Sequence, residues 1–161
     1  LRAAPRCPAR DAWRRQHAHR PLTGPRSPAA CAVVIMLDIK RTVRTHEPRL
    51  PFQELKNAAL GGSYELSLVI CSDKLARRVN TEYRGKTYAA NVLSFPLSKT
   101  EGEMFLNARA AKREARAYGV SERSRLALLV VHGLFHLKGY RHGRTMEDEE
   151  RNLLRRFGLS R

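Results

Sequence analysis

Three histidines near the C-terminal end of the chain have the spacing of a metal site. His132 and His136 lie four residues apart in a stretch that has the character of a helix, so their imidazoles share one face and can reach the same cation. His142 comes three residues after Gly139, where a glycine can end the helix and turn the chain back. A lone histidine on an apolar helix is more often a hydrogen-bonded core residue, but three at this spacing favour metal. We therefore predict one ion, Zn²⁺, held by His132, His136 and His142 with a fourth position left for water.

The histidine spacing is shared with the metalloprotease pattern H-E-x-x-H-x-x-G-x-x-H, in which a glutamate follows the first histidine and acts as general base. Gly133 stands at that position here. A metalloprotease is therefore the weakest of the functions considered. A zinc ion held by the three imidazoles can still activate water or polarise a phosphoryl or carbonyl oxygen.

The histidines need a buried helix to position them. The run Leu126–Val131 before His132 is wholly apolar, which predicts that Ser121 begins a long buried helix. A terminal amphipathic helix follows over 145–157, with Met146, Leu153, Leu154 and Phe157 on its apolar side.

Upstream elements alternate between strands and helices. Strands are predicted over 37–40, 64–72, 91–96 and 102–106, and helices over 51–60, 73–84 and 108–118. Asp73 is expected to cap the second of these helices, and one face of the strand over 64–72 is expected in the core. This order predicts an α/β fold with a small mixed sheet packed against helices, a single domain with the zinc-binding helix near its C-terminus.

Composition limits the class of protein and its partner. The 161 residues suffice for one domain, and a formal charge of +16 favours a polyanionic partner, either nucleic acid or an acidic membrane surface. Three cysteines without a C-x-x-C pair indicate neither a disulfide framework nor a thiolate zinc site, and they favour a reducing compartment. No apolar run approaches the length of a membrane span, which indicates a soluble protein.

The first 35 residues differ from the rest. They contain seven Arg against one Asp, which gives +6, whereas residues 36–161 contain 24 Lys and Arg against 14 acidic residues, which gives +10. Residues 1–35 are predicted to be disordered or an upstream extension, with Met36 opening the domain of residues 36–161. An organellar transit peptide is the weaker alternative, because prolines interrupt any amphipathic helix there.

Several polar residues upstream of the histidines could contact a substrate. Arg84 and Lys86 flank Gly85, an arrangement suited to phosphate, although two cations at a helix C-terminus also suit the helix dipole. Asn91 and Ser94 could face the site or satisfy strand ends. A basic row on the following helix could track a phosphate backbone or form a solvated face: Arg109, Lys112, Arg113 and Arg116.

Two segments resemble the YbeY-type bacterial endoribonucleases, also called rRNA maturation factors. The stretch over 132–142 is similar to the family signature H-G-x-x-H-L-x-G-Y-D-H, and the stretch over 80–96 to L-N-x-x-Y-R-x-x-x-x-P-T-N-V-L-S-F-P. The strand Gly102-Glu-Met-Phe-Leu106 also agrees with the family, and the resemblance covers about residues 36–158. The chain departs from the pattern at Arg141, where the family has Asp, at Val79, and at Ala89 and Ala90.

The resemblance implies zinc-dependent cleavage of single-stranded RNA in rRNA processing, in particular maturation of the 16S rRNA 3′ end, and in ribosome quality control. It implies zinc ligation by His132, His136 and His142 and a catalytic role for Arg84. Arg141 could weaken the metal site or grip substrate phosphate. The full set of expected RNA contacts is Arg84, Lys86, Asn91, Ser94 and Arg141.

We expect rRNA and ribosomal particles as partners, no membrane partner, and the cytoplasm as the location, with an organelle less favoured. The sequence identifies no protein partner. The alternative from another class is a non-catalytic RNA-binding ribosome assembly factor with a structural metal. The absence of a general base from the motif speaks for it, and the open fourth coordination position speaks against it.

Overall fold

A four-stranded mixed sheet forms the middle layer of the part of the chain that the structure describes. The computed structural model describes residues 36–44 and 46–159, and its strands are Leu37–Arg41 (β1), Glu65–Cys71 (β2), Val92–Pro96 (β3) and Glu101–Asn107 (β4). The order is β1-β2-β4-β3, with β1, β2 and β4 parallel and the edge strand β3 antiparallel to β4. The predicted α/β class with a small mixed sheet is confirmed.

Five α-helices accompany the sheet in the described residues. They are Phe52–Leu60 (α1), Asp73–Arg84 (α2), Ala108–Ala117 (α3), Glu122–Leu137 (α4) and Arg144–Arg156 (α5). The predicted extension over 1–35 lies outside the described residues. Within 36–44 and 46–159, none of the helices combines the length and the apolar character that crossing a bilayer requires.

Apolar residues on both faces of the sheet are buried. Leu66 and Leu68 of β2 belong to a large cluster that includes residues of α1, α4 and α5. Val69 and Cys71, on the opposite face, join a smaller cluster with residues of α2. The prediction that only one face of this strand lies in the core is therefore wrong, because β2 is a central strand with helices on both sides.

The N-terminus of α2 is capped by Ser72, and the prediction that Asp73 is the cap is wrong. Ser72 has extended backbone angles, and its Oγ accepts a hydrogen bond from the Leu75 amide at 3.3 Å. Asp73 is the first helical residue. Its carboxylate instead accepts two bonds from the Arg113 guanidinium, at 2.7 and 2.9 Å, and one from Asn107 Nδ2 at 2.7 Å. These bonds join α2 to α3.

Helix α4 approaches the sheet closely at Gly133. Ser94 Oγ on β3 donates a hydrogen bond to the Gly133 carbonyl at 2.9 Å. A Cβ at position 133 would overlap the Met104 sulfur and would lie 3.0 Å from both Ser94 Oγ and Val92 Cγ2. Glycine therefore permits the close approach, and a glutamate, as in the metalloproteases, does not fit there.

The substitution Gly133→Ala should destabilise the protein by up to about 2 kcal/mol. Overpacking costs about 1–3 kcal/mol, which outweighs the roughly 1 kcal/mol that alanine contributes to helix propensity. The free energy of unfolding in urea measures the difference. The control is Gly62→Ala, where an added Cβ meets no atom within 4 Å. A Gly133→Ala variant at least as stable as the wild type would contradict the packing argument.

Acid should weaken the junction between α2 and α3. The Arg113 hydrogen bonds lower the pKa of Asp73, so the folded state binds fewer protons there than the unfolded chain. The stabilisation is present above the unfolded pKa of about 3.9 and is lost as pH falls through the lower folded pKa. The stability difference between wild type and Asp73→Asn, measured by urea unfolding, should therefore stay constant down to about pH 5 and shrink as pH falls below about 4. A difference independent of pH would refute this.

Candidate metal centre

The end of α4 determines where the third histidine lies. Ser121 Oγ caps the helix through the Ser124 amide at 3.0 Å, and the helix ends at Leu137. Gly139 has φ +97°, a value that favours glycine, and the Tyr140 amide donates to the Phe135 carbonyl at 3.0 Å. The chain thus reverses directly after the helix, as the sequence predicted, and returns towards the histidine face.

The three predicted metal ligands come together. His132 Nε2 and His136 Nε2 are 3.0 Å apart. The ring centroid of His142 lies 5.0 Å from that of His132 and 4.6 Å from that of His136. One ring nitrogen from each histidine can be chosen so that all three lie within 4.8 Å of one another. The three residues can therefore hold a single ion.

The outer nitrogens of two of these rings have fixed partners. His136 Nδ1 donates to the Tyr140 carbonyl at 3.1 Å, and His132 Nδ1 donates to Glu150 Oε1 at 2.7 Å. Because both protons sit on Nδ1, both neutral rings present a bare lone pair at Nε2. Two lone pairs at 3.0 Å repel each other unless a cation lies between them. The donor set therefore fits a metal ion.

The environment of His136 favours its neutral form. Burial lowers its pKa below the ordinary value, and repulsion from His132, whenever that ring is protonated, lowers it further, against a smaller opposing effect of the hydrogen bond to Tyr140. A metal ligand must be neutral imidazole, so the lowered pKa keeps His136 competent at neutral pH.

One side of the cluster is accessible. His142 and Arg141 are exposed, whereas His132 and His136 are half-buried. Structural zinc sites are closed by four protein ligands, whereas catalytic sites keep an open position. Cys71 cannot supply a fourth ligand, because it is fully buried and burial raises the pKa of its thiol to about 12. Cys7 and Cys31 lie outside the described residues.

Arg84 and Lys86 lie at the C-terminal end of α2. Gly85 has φ +65°, Thr81 Oγ1 donates to the Lys86 carbonyl at 3.0 Å, and Asn80 Nδ2 donates to the Tyr88 carbonyl at 3.0 Å. Both cations are exposed at the start of a loop that is pinned to α2. Among the described residues, no hydrogen bond or ring contact joins Arg84 to the histidines.

The edge strand β3 connects the two groups. Tyr83, which precedes Arg84, contacts Phe95 with ring centroids 5.0 Å apart. Gly133, which follows His132, accepts the hydrogen bond from Ser94. Successive strand residues point to opposite faces, so Arg84 and the histidines flank β3 from opposite sides of the sheet.

Asn91 and Ser94 take part in internal hydrogen bonds. Asn91 Nδ2 donates to Glu114 Oε1 at 3.0 Å, and its Oδ1 accepts from the Val92 amide at 2.8 Å. Ser94 is bonded to α4 as described. Asn91 holds the start of β3 in place and Ser94 holds its middle, and their contact with RNA stays a prediction.

Sequence reasoning missed Glu150, whose carboxylate bonds to His132. This residue is only 7% exposed, although it belongs to the acidic run 147–150. It lies four residues after Met146 and three before Leu153, which places it on the buried face of α5. An acidic residue on an apolar helix face was the signal that could have revealed it.

Comparison with known proteins gives one family. A model of that family, described as Endoribonuclease YbeY, matches residues 40–158. Proteins named endoribonuclease YbeY from Geobacter metallireducens and Halalkalibacterium halodurans are 42% and 37% identical over 98 and 123 residues. These alignments cover 55% and 62% of this chain and 65% and 76% of the relatives. The chain thus spans 65% of the Geobacter relative's length.

The fold also has a counterpart among solved structures. A solution structure of a Thermotoga maritima protein superposes with a TM-score of 0.53 at 20% identity. The match covers 74% of this chain and 87% of that one. At this identity the likeness supports the fold alone.

Glu150→Gln should lower affinity for a divalent ion about 10–100-fold, because the carboxylate that orients His132 and raises its basicity is lost. Competition between the full chain and a chromophoric chelator for Zn²⁺ measures the affinity. The control is Glu149→Gln, an equal change at an exposed position of the same helix. Equal affinities of the two variants would show that the contact does not support the metal centre.

Proposed function

We propose that this chain, which belongs to the endoribonuclease YbeY family, cleaves single-stranded RNA with the help of one divalent metal ion. The observation that carries the proposal is the convergence of the His132 and His136 Nε2 atoms at 3.0 Å, each ring with its Nδ1 already hydrogen-bonded, and with His142 completing the set. The accessible side of the cluster leaves room for a substrate, as catalytic metal sites require.

Zinc suits this ligand set best, since three neutral imidazoles without a thiolate match a borderline metal. His132, His136 and His142 would hold it, and once bound it would supply Lewis acidity that polarises a phosphoryl oxygen or activates water. Glu150 and the Tyr140 carbonyl orient two of the rings. No other carboxylate bonds to the histidines among the described residues, so a general base is not assigned.

Arg84 would bind the scissile phosphate and stabilise the charge that develops on it. The guanidinium is exposed at the end of α2 and flanks the same edge strand as the histidines. Its planar fork suits a phosphate better than a lysine would. Lys86 and Arg141, both exposed, would contact neighbouring phosphates.

The substrate we propose is rRNA, with maturation of the 16S rRNA 3′ end and ribosome quality control as the roles and the cytoplasm as the location. Family membership and the net charge of +10 over residues 36–161 support an RNA substrate. The alternative of a non-catalytic RNA-binding assembly factor requires a structural metal. The exposure of His142 speaks against it, because a structural site would be closed.

Chelation and two substitutions test the activity. The full chain with one equivalent of Zn²⁺ should cleave a labelled single-stranded RNA, and excess chelator or His136→Ala should abolish cleavage. Arg84→Ala should lower kcat/KM by about 10²–10³, the usual cost of losing one group that stabilises transition-state charge. The measurement is the initial rate of product formation on denaturing gels.

The matched control is Arg156→Ala, which removes an equally exposed arginine from the last position of a helix, α5. It should leave the rate within about twofold. RNA binding without any cleavage would favour the assembly factor. Cleavage that survives both chelation and His136→Ala would overturn the proposed mechanism.

A further inference from the structure

The outer face of α2 carries a basic stripe, formed by Lys74, Arg77 and Arg78. All three side chains are exposed, and their spacing of three and four residues places them on one face, opposite the buried Ala76 and Val79. Among the described residues, none of the ion pairs involves a member of this stripe. The three cations are therefore open to a ligand, with the exposed Glu82, four residues after Arg78, beside them on α2.

The basic row on α3, by contrast, is partly neutralised. Lys112 pairs with Glu122 at 2.9 Å, and Arg113 pairs with Asp73 at 2.7 Å. The second pair also neutralises Asp73, the acidic residue that precedes Lys74. Arg109 and Arg116 of the α3 row have no ion pair among the described residues, so that row keeps two unpaired cations, whereas all three cations of the α2 stripe are unpaired.

The stripe leads towards Arg84. Arg77 and Arg84 are seven residues apart, so they lie on the same face about 10 Å apart along the axis. From Lys74 to Arg84 the helix rises about 15 Å, which corresponds to roughly four stacked nucleotides at 3.4 Å each. The cations therefore continue along one face of α2 to the residue assigned to the scissile phosphate.

An exposed aromatic ring stands just beyond this end. Tyr88 is 57% exposed, and its carbonyl is held by the buried Asn80. Cations followed by an accessible aromatic ring are typical of surfaces that bind single-stranded nucleic acid, since bases stack on the ring. The stripe itself offers no apolar side chain for insertion into lipid, which disfavours a membrane.

We propose that the α2 stripe binds the backbone of a single-stranded RNA segment next to the cleaved bond and guides it to Arg84, an inference that rests on the proposed function. The RNA would run along α2 to Arg84, with the scissile phosphate at the edge of β3 between Arg84 and the histidines. The stripe would raise affinity for substrates long enough to span it and would leave the chemical step unchanged.

The test measures the affinity of the full chain for a labelled single-stranded RNA of about 20 nucleotides. Fluorescence anisotropy in excess chelator, recorded over a range of KCl concentrations, gives this affinity. The double variant Arg77→Gln/Arg78→Gln removes two cations. With about 0.7 counterions released per contact, we expect about 25-fold weaker binding at about 0.1 M salt and a salt slope reduced by about 1.4.

The control is Arg155→Gln/Arg156→Gln, which removes two exposed neighbouring arginines from α5 and alters net charge equally. It should change affinity less than about threefold. If the two double variants weakened binding equally, the attraction would come from diffuse net charge and the proposal for the α2 stripe would be overturned. It would also be overturned if neither variant weakened binding. If the stripe variant no longer bound vesicles of anionic phospholipid but still bound RNA, the stripe would be a membrane-binding surface and the proposal would fall.

The two proposals can fail separately. If the wild type bound RNA through the stripe but never cleaved it, the proposed nuclease activity would be refuted and the proposal for the α2 stripe would be retained. If cleavage depended on Zn²⁺ and Arg84 while the stripe variant bound RNA like the wild type, the proposal for the α2 stripe would be refuted and the proposed nuclease activity would be retained.

Discussion

The 3.0 Å approach of the His132 and His136 Nε2 atoms, which turns two lone pairs towards each other when both rings are neutral, is the constraint on which the rest of the site depends. Neither ring can relieve the contact by shifting its proton, because the Tyr140 carbonyl and the Glu150 carboxylate each occupy an Nδ1. The arrangement becomes favourable when a cation lies between the rings. Most of the local structure serves to keep those two nitrogens turned towards each other and to bring a third to them.

The fold provides this constraint by close packing. α4 is buried along most of its length and approaches the sheet at Gly133, where a glycine lets β3 bond directly to the helix backbone. α5 then brings Glu150 to His132. The hydrogen bond that orients this ring therefore comes from a helix that carries none of the three histidines. The same edge strand has Tyr83 against its other face, next to Arg84. A single strand thus relates the metal centre to the basic end of α2.

Much of this could be predicted from the sequence, because the signals were local. Histidines at a spacing of four, the apolar run before them and Gly139 correctly predicted the helix, its end and the convergence of the three histidines; that they bind a metal stays a prediction. Contacts between distant segments had no such signal. Asp73 has the type of a helix cap, yet it pairs with Arg113 forty residues away, and Lys56 is fully buried with its ammonium donating to three carbonyls. Glu150 could not be predicted for the same reason, because its partner His132 lies on another helix.

The most direct test of the central claim is X-ray absorption at the zinc edge of the purified, stoichiometrically loaded chain. The account predicts a first shell with three imidazole nitrogens at about 2.0–2.1 Å, completed by a light atom and without sulfur. A shell with sulfur, with fewer than three imidazoles, or a chain that retains no zinc at all would contradict it.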